Sequence, residues 1–187
     1  MKIKAVIILL ISVLFASCAA VVMVGAAGGM VVYDRRSMTT IEQDARIFYV
    51  INTNLANDQR FRGSRIVITS FNHVVLLSGQ TPTSSLRVLA EQIAKNTPRV
   101  DRVYDEITVD YPLSVSQRSK DTLITGQVRS KMLTQKGLES GSIRVVTENG
   151  VVYLMGIATH EQANLAVDVA RHINGVNRVV KIFKYIV

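Results

Sequence analysis

Few side chains in this sequence could do covalent or acid–base chemistry: one cysteine (Cys18), three histidines (His73, His160, His172) and one adjacent acidic pair, Asp105–Glu106. Nucleophilic catalysis needs a base within reach of the nucleophile, and a metal site needs ligands at a spacing that brings them to one face. The sequence has no HExxH, no second cysteine and no triad-like neighbourhood, and its glycines form neither GxGxxG nor a phosphate-binding loop. His73 falls in a predicted hairpin turn and the other two histidines near predicted helix ends, so all three read as solvated. Asp105–Glu106 adjoins a predicted strand and reads as a solvated edge or an interdomain contact. No catalytic residue, metal or cofactor is expected, and the chain reads as not an enzyme. Cys18 remains.

Its surroundings are specific. Lys2 and Lys4 precede an apolar stretch, Ala5 to Ala16, broken only by Ser12, which is the layout of a secretory signal. An unpaired thiol exported to an oxidising compartment would be a liability. The run Leu14-Phe15-Ala16-Ser17-Cys18 resembles the bacterial lipoprotein signal. That resemblance implies that residues 1–17 are removed and that Cys18 becomes an acylated N-terminus, since two or three acyl chains suffice for stable anchoring. Ala19, where aspartate commonly retains such proteins at the inner membrane, implies passage to the outer membrane. The residues leave one alternative open: from Ala5 to Tyr33 there is no charge, long enough for an uncleaved membrane helix with Lys2 and Lys4 inside. Either reading places the folded part outside the cytoplasm, beside a membrane, with residues 18–40 as its tether.

The elements beyond the tether come twice. Val74-Val75-Leu76-Leu77-Ser78-Gly79 matches Val151-Val152-Tyr153-Leu154-Met155-Gly156 at an offset of 77, which also pairs Asp44 with Asp121, Ile47 with Ile124, Ile66 with Ile143 and Asn72 with Asn149. Past the glycines the offset is 76, pairing Leu89 with Leu165, Ala90 with Ala166, Ala94 with Ala170 and Val103 with Val179. So the chain is a tandem of two related domains, residues 41–110 and 115–187, joined by a linker at 111–114.

Each copy reads αββαβ. In the first, Ile47, Ile51 and Leu55 mark a helix over 42–55 with Asp44 in its acidic first turn. Strands over 65–70 and 74–77 form a hairpin, a second helix ends before Pro98, and 102–109 is the last strand. In the second, the helix covers about 120–133 and the hairpin strands 142–147 and 151–154 flank Asn149-Gly150, a type I′ signal. A helix over 160–173 and a strand over 179–186 follow. The fold class is α+β, each copy a three-stranded mixed sheet with both helices on one face. Packing of one copy against the other is plausible, because a domain of this size is marginal alone.

Two copies of this order, with Val75-Leu76-Leu77-Ser78-Gly79 and Val100-Asp101-Arg102-Val103, then Val152-Tyr153-Leu154-Met155-Gly156 and Gly175-Val176-Asn177-Arg178-Val179, resemble BON domains, a bacterial periplasmic module. The stretch Ser119 to Leu133 with Val146 to Gly150 is similar to the two-domain outer-membrane lipoproteins of that family linked to division and envelope stress. The resemblance implies a lipid-anchored protein facing the periplasm from the outer membrane and needed for that membrane's integrity. Its second domain would contact an anionic phospholipid, such as phosphatidylglycerol, through its first helix.

Charge agrees. Of the formal net charge of +8, residues 42–110 contribute none, with eight basic and eight acidic side chains, whereas residues 113–187 carry ten basic against five acidic. An anionic surface is therefore the expected partner of the second copy. At about 100° per residue, Ile124, Val128 and Met132 form the core side of its first helix, and Leu123, Gly126, Arg129 and Leu133 fall away from it. With Ser130, Lys120 and Lys131 these are the expected phospholipid-binding residues; coverage of the leucines by the other domain explains their position equally well. Nucleic acid is not expected, since the sequence lacks stacking aromatic clusters, a helix-turn-helix and an RNP-like strand. The competing function is an envelope scaffold contacting an outer-membrane assembly or peptidoglycan-associated protein.

Overall fold

The computed structural model describes residues 34–187; Cys18 and the leader through residue 33, with the readings placed on them, lie outside the described residues. The elements run α1 (Met38–Asn57), β1 (Arg65–Phe71), β2 (Val74–Thr81), α2 (Ser84–Lys95), β3 (Arg102–Val109), α3 (Val115–Thr134), β4 (Ile143–Glu148), β5 (Val151–Ala158), α4 (His160–Arg171) and β6 (Arg178–Tyr185). The order αββαβ thus occurs twice. Each copy has one three-stranded sheet in spatial order β1-β2-β3 or β4-β5-β6. The hairpin pair is antiparallel and the crossover pair parallel.

Both first helices begin earlier than their apolar periodicity indicates. Ser37 Oγ accepts from Thr40 N at 3.1 Å and Ser114 Oγ from Gln117 N at 3.2 Å. These N-caps satisfy donors that the first turn leaves unpaired. The turns they add bury little, so periodicity does not register them. Residues Met38 to Thr40 are therefore helix, and Asp44 lies beyond the first turn, contrary to the acidic-first-turn reading.

Asp44 is buried, and its carboxylate accepts from the backbone N–H groups of Asn72 (2.7 Å) and His73 (2.9 Å). Asp121 repeats the device on Asn149 (2.8 Å) and Gly150 (2.9 Å). All four turn residues have positive φ, which turns the amides toward the helix and fits type I′ geometry. The carboxylate thus ties helix to hairpin tip in both copies, which accounts for the shared 77-residue offset of the aspartates and asparagines.

Three apolar clusters hold the layers together. Ile47, Ile51 and Leu55 of α1 and Ala90 and Ala94 of α2 pack on Val75, Leu77 and Ile107 of the first sheet. Ile124, Val128, Met132, Ala166 and Ala170 do the same on Val145, Val152 and Leu154. The third cluster, Phe71 and Leu76 with Tyr153, Met155 and Ile182, joins the opposite faces of the two sheets. So both helices of each copy lie on one face and the copies pack sheet to sheet. This explains why Val74 to Leu77 is a continuous apolar run, since a central strand covered on both faces has no polar side to alternate. Gly79 and Gly156 end these runs because a Cβ at either would lie 2.0 Å from Arg65 O or 2.6 Å from Ser142 O.

Polar contacts fix the register between copies. Glu148 Oε1 accepts from Arg65 Nη1 at 2.6 Å and Gln80 Nε2 at 2.7 Å. The Tyr153 hydroxyl donates to Glu106 Oε2 at 3.4 Å. Burial, reinforced by the Glu106 charge, pushes the Tyr153 phenol up to about 12. Of the acidic pair, Glu106 is an interdomain contact, while Asp105 pairs with Arg87 Nε at 2.7 Å within its own copy.

Candidate functional site

The buried stripe of α3 is Asp121, Ile124, Val128 and Met132. The helix is otherwise polar, so apolar side chains off that stripe require an account. Leu123 is 66% exposed and Leu133 43%. Val115, 69% exposed, stands in the first turn that the Ser114 cap adds. Sequence reading missed Val115 because it started the helix at Lys120; the signal was the Ser114-x-x-Gln117 cap. The first copy does not cover these leucines.

The seven residues expected to meet phospholipid fall into two groups about this face. Leu123, Gly126 and Ser130 lie at helical spacings of three and four, all exposed, and nothing approaches within 4 Å of where a Gly126 side chain would stand. Lys120 and Lys131 are exposed on the Leu123 flank of the helix. Arg129 and Leu133 belong to the other flank. There Arg129 Nη2 donates to Val145 O at 2.9 Å, capping an outward carbonyl of the edge strand β4. Arg129 is thus held against the sheet edge instead of extending freely from the helix.

Beyond Arg129 and Leu133 lies a cleft of about 300 Å³, whose walls include Phe71 of the first copy, Met132, Ile143 and Arg144 of the second, and Asp34 and Arg36 of the lead-in segment. That segment is pinned to both copies. Arg35 N donates to Ser142 Oγ at 3.1 Å, and Arg35 Nη2 meets Glu139 Oε2 at 2.9 Å. Arg36 spans Asp34 (2.7 Å) and Asp44 (2.9 Å) and lies 4.1 Å over the Phe71 ring. Burial opposes ionisation of Asp34, but its hydrogen bonds from Arg36 prevail and hold its carboxyl below the usual aspartate range. The described chain therefore begins beside the C-terminal end of α3.

The histidines lie elsewhere. His73 Nε2 is 2.7 Å from Gln43 Oε1 at the hairpin tip, His160 stacks on Tyr185 with ring centroids 4.0 Å apart, and His172 caps α4. Among the described residues no group of three or more His, Cys, Asp or Glu is placed to hold a metal ion. Nor, among them, is any helix long and apolar enough to cross a membrane.

Comparison with known proteins places this geometry. The BON domain matches the chain twice, over residues 43–111 and 120–186. The chain is 37% identical over 169 residues to the outer membrane lipoprotein DolP of Haemophilus influenzae, covering 90% of this chain and 88% of that protein. It is 35% identical over 154 residues to the 21 kDa hemolysin of Actinobacillus pleuropneumoniae, covering 82% and 79%. To the osmotically-inducible protein Y of Escherichia coli it is 27% identical over 139 residues, covering 73% and 69%.

Proposed function

The chain belongs to the BON-domain family as a tandem-domain outer-membrane lipoprotein, and from that premise we propose that it lays the exposed face of α3 on anionic phospholipid and thereby supports the integrity of the membrane that carries its anchor. Cys18 bears the acyl chains. The role is binding, not catalysis. The observation that carries the reading is the pair of solvent-facing leucines, Leu123 and Leu133, on an otherwise polar helix of the copy that holds the excess positive charge of the folded region.

The magnitudes suit a peripheral contact. Fully burying a leucine is worth about 1.5–3 kcal/mol, so these partly exposed side chains together offer about 2–3 kcal/mol. Each basic group near an anionic surface adds about 1 kcal/mol; Lys120, Lys131 and Arg129 flank the leucines. That sum gives reversible binding, and stable residence still requires the acyl anchor.

The test is co-sedimentation of a fragment of residues 34–187 with vesicles. Those containing phosphatidylglycerol should retain it more strongly than phosphatidylcholine alone, and added salt should weaken retention. Equal retention by both, or none by either, would sink the lipid reading and favour the envelope scaffold, whose partner is a protein.

A further inference from the structure

The two copies treat the outer edges of their sheets differently. In each, the last strand pairs with the central one on one side only, so every second residue turns its backbone groups outward. Asp110 N donates to Thr81 O and Ile186 N to Ala158 O, which sets the alternation. Asp105 and Ile107 of β3 therefore face away from β2, and Val179, Lys181, Phe183 and Tyr185 of β6 face away from β5. On β3 the middle of that row is closed. Asp105 Oδ1 accepts from Ile107 N at 3.1 Å, and Arg87, which donates through Nε to Asp105 Oδ2 at 2.7 Å, also donates through Nη2 to Asp105 O at 3.1 Å. At the offset of 76, Arg87 corresponds to Ala163 and Asp105 to Lys181. Alanine has no donor to reach the edge and lysine no acceptor for an amide, so the plug is lost. Among the described residues nothing caps the outward groups along the eight residues of β6.

An open edge of this length is a template for another strand, and its side chains decide which. Lys181 and Lys184 are exposed, and neither has an ion-pair partner among the described residues. A second copy pairing through its own β6 would bring lysine toward lysine and join two domains that each carry ten basic against five acidic side chains, so charge opposes self-pairing. The same charge favours an acidic strand. On the side of β6 that carries Lys181, Phe183 is partly buried and Tyr185 is 43% exposed, which leaves apolar surface beside the charge. The remaining edges offer less. Arg129 caps β4 at Val145 O, and the one charged side chain of β1, Arg65, is held by Glu148.

We propose that β6 is a docking edge for an extended, acidic segment of a protein partner, which joins the second sheet as a fourth, antiparallel strand. Its backbone exchanges hydrogen bonds with Lys181 and Phe183, carboxylates on its two faces meet Lys181 and Lys184, and an apolar side chain lies along Phe183 and Tyr185. Recognition at β6 uses no residue of α3 and is independent of the membrane-binding reading.

The experiment uses the full chain in phosphatidylcholine micelles, with amide hydrogen exchange read by NMR and a short synthetic peptide of alternating glutamate and valine as the probe. In the free protein the capped Ile107 amide should exchange slowly and those of Lys181 and Phe183 fast. The peptide should slow Lys181 and Phe183 by about ten-fold or more, while Ile182 and Lys184, already paired to β5, change little. A peptide with lysine in place of glutamate should bind about ten-fold more weakly or worse, as should the glutamate peptide N-methylated at every residue, which keeps its charge and loses its donors. Lys181→Asp, which supplies the carboxylate that caps β3 and reverses the charge, should weaken binding about ten-fold or more. Lys136→Asp, the same charge change away from the edge, should leave binding unchanged at physiological salt. The proposal is overturned if the glutamate peptide leaves both amides fast or protects another strand edge instead, or if the lysine or N-methylated peptide binds as tightly. A folded Lys181→Asp protein that binds like the wild type overturns it too. Protection of the same amides that rises with protein concentration and needs no peptide would replace the acidic segment by a second copy of the chain.

Discussion

Replacing Asp121 by asparagine turns one acceptor oxygen into an NH₂ donor and removes the carboxylate charge, with almost no change of shape. The two backbone donors of the hairpin tip go to different carboxylate oxygens, Asn149 N to Oδ2 and Gly150 N to Oδ1, and Gln117 Nε2 adds a third contact to Oδ1 at 3.3 Å. An asparagine must turn its NH₂ toward one of the two N–H groups. Gly150 is buried and Asn149 exposed, so the side chain will keep the Gly150 bond and leave Asn149 to water. A hydrogen bond to a charged group is worth about 1.5–3 kcal/mol, which sets the expected loss. For a folded unit of this size that lowers the melting temperature by roughly 3–12 °C. Asp121→Ala, which also strands the Gly150 donor, should cost about 3–5 kcal/mol. Urea unfolding followed by circular dichroism gives the stability, and hydrogen exchange at the Asn149 and Gly150 amides gives the site. Asp121→Asn within about 0.5 kcal/mol of wild type, with both amides as protected as before, would refute the role assigned to the repeated aspartates.

Three further outcomes follow from the same structure. Leu123→Ser with Leu133→Ser should lower partitioning onto anionic vesicles by roughly ten-fold or more in co-sedimentation, with the fold retained, because neither side chain belongs to the buried stripe. Gly126→Ala should raise stability by about 0.5–1 kcal/mol in urea unfolding, since nothing lies in the way of the added methyl. Tyr153 has a folded-state pKa raised from 10.0 to about 12, so the folded state holds its proton where the unfolded chain has lost it. Its contribution is complete below pH 10 and is lost as pH rises toward 12, by about 2–3 kcal/mol in all; unfolding midpoints measured across that range should fall more steeply for wild type than for Tyr153→Phe.

Much of the fold was legible because the sequence states it twice. The apolar runs ending at Gly79 and Gly156 located the central strands, and β3 occupies 102–109 as its β-rich composition indicates. The starts of α1 and α3 were not legible from periodicity, because Ser37 and Ser114 cap turns that bury almost nothing. Asp44 was misplaced for the same reason, and its bond to the hairpin depends on a turn 28 residues away. Leu123 and Leu133 could be placed off the core by helical angle alone, since exposure on a regular helix is a local property. The tether of Arg129 to Val145 O and the approach of Arg144 to Arg36 depend on where an edge strand meets another copy, which no local pattern encodes.

The central claim is that α3, and not another face, rests on the membrane. Spin-labelled lipid in phosphatidylglycerol vesicles, with amide resonances of residues 34–187 as the readout, tests it most directly. Broadening should concentrate between Leu123 and Leu133, and spare α2 and α4. Broadening centred on another helix, or spread evenly over the protein, would contradict the account.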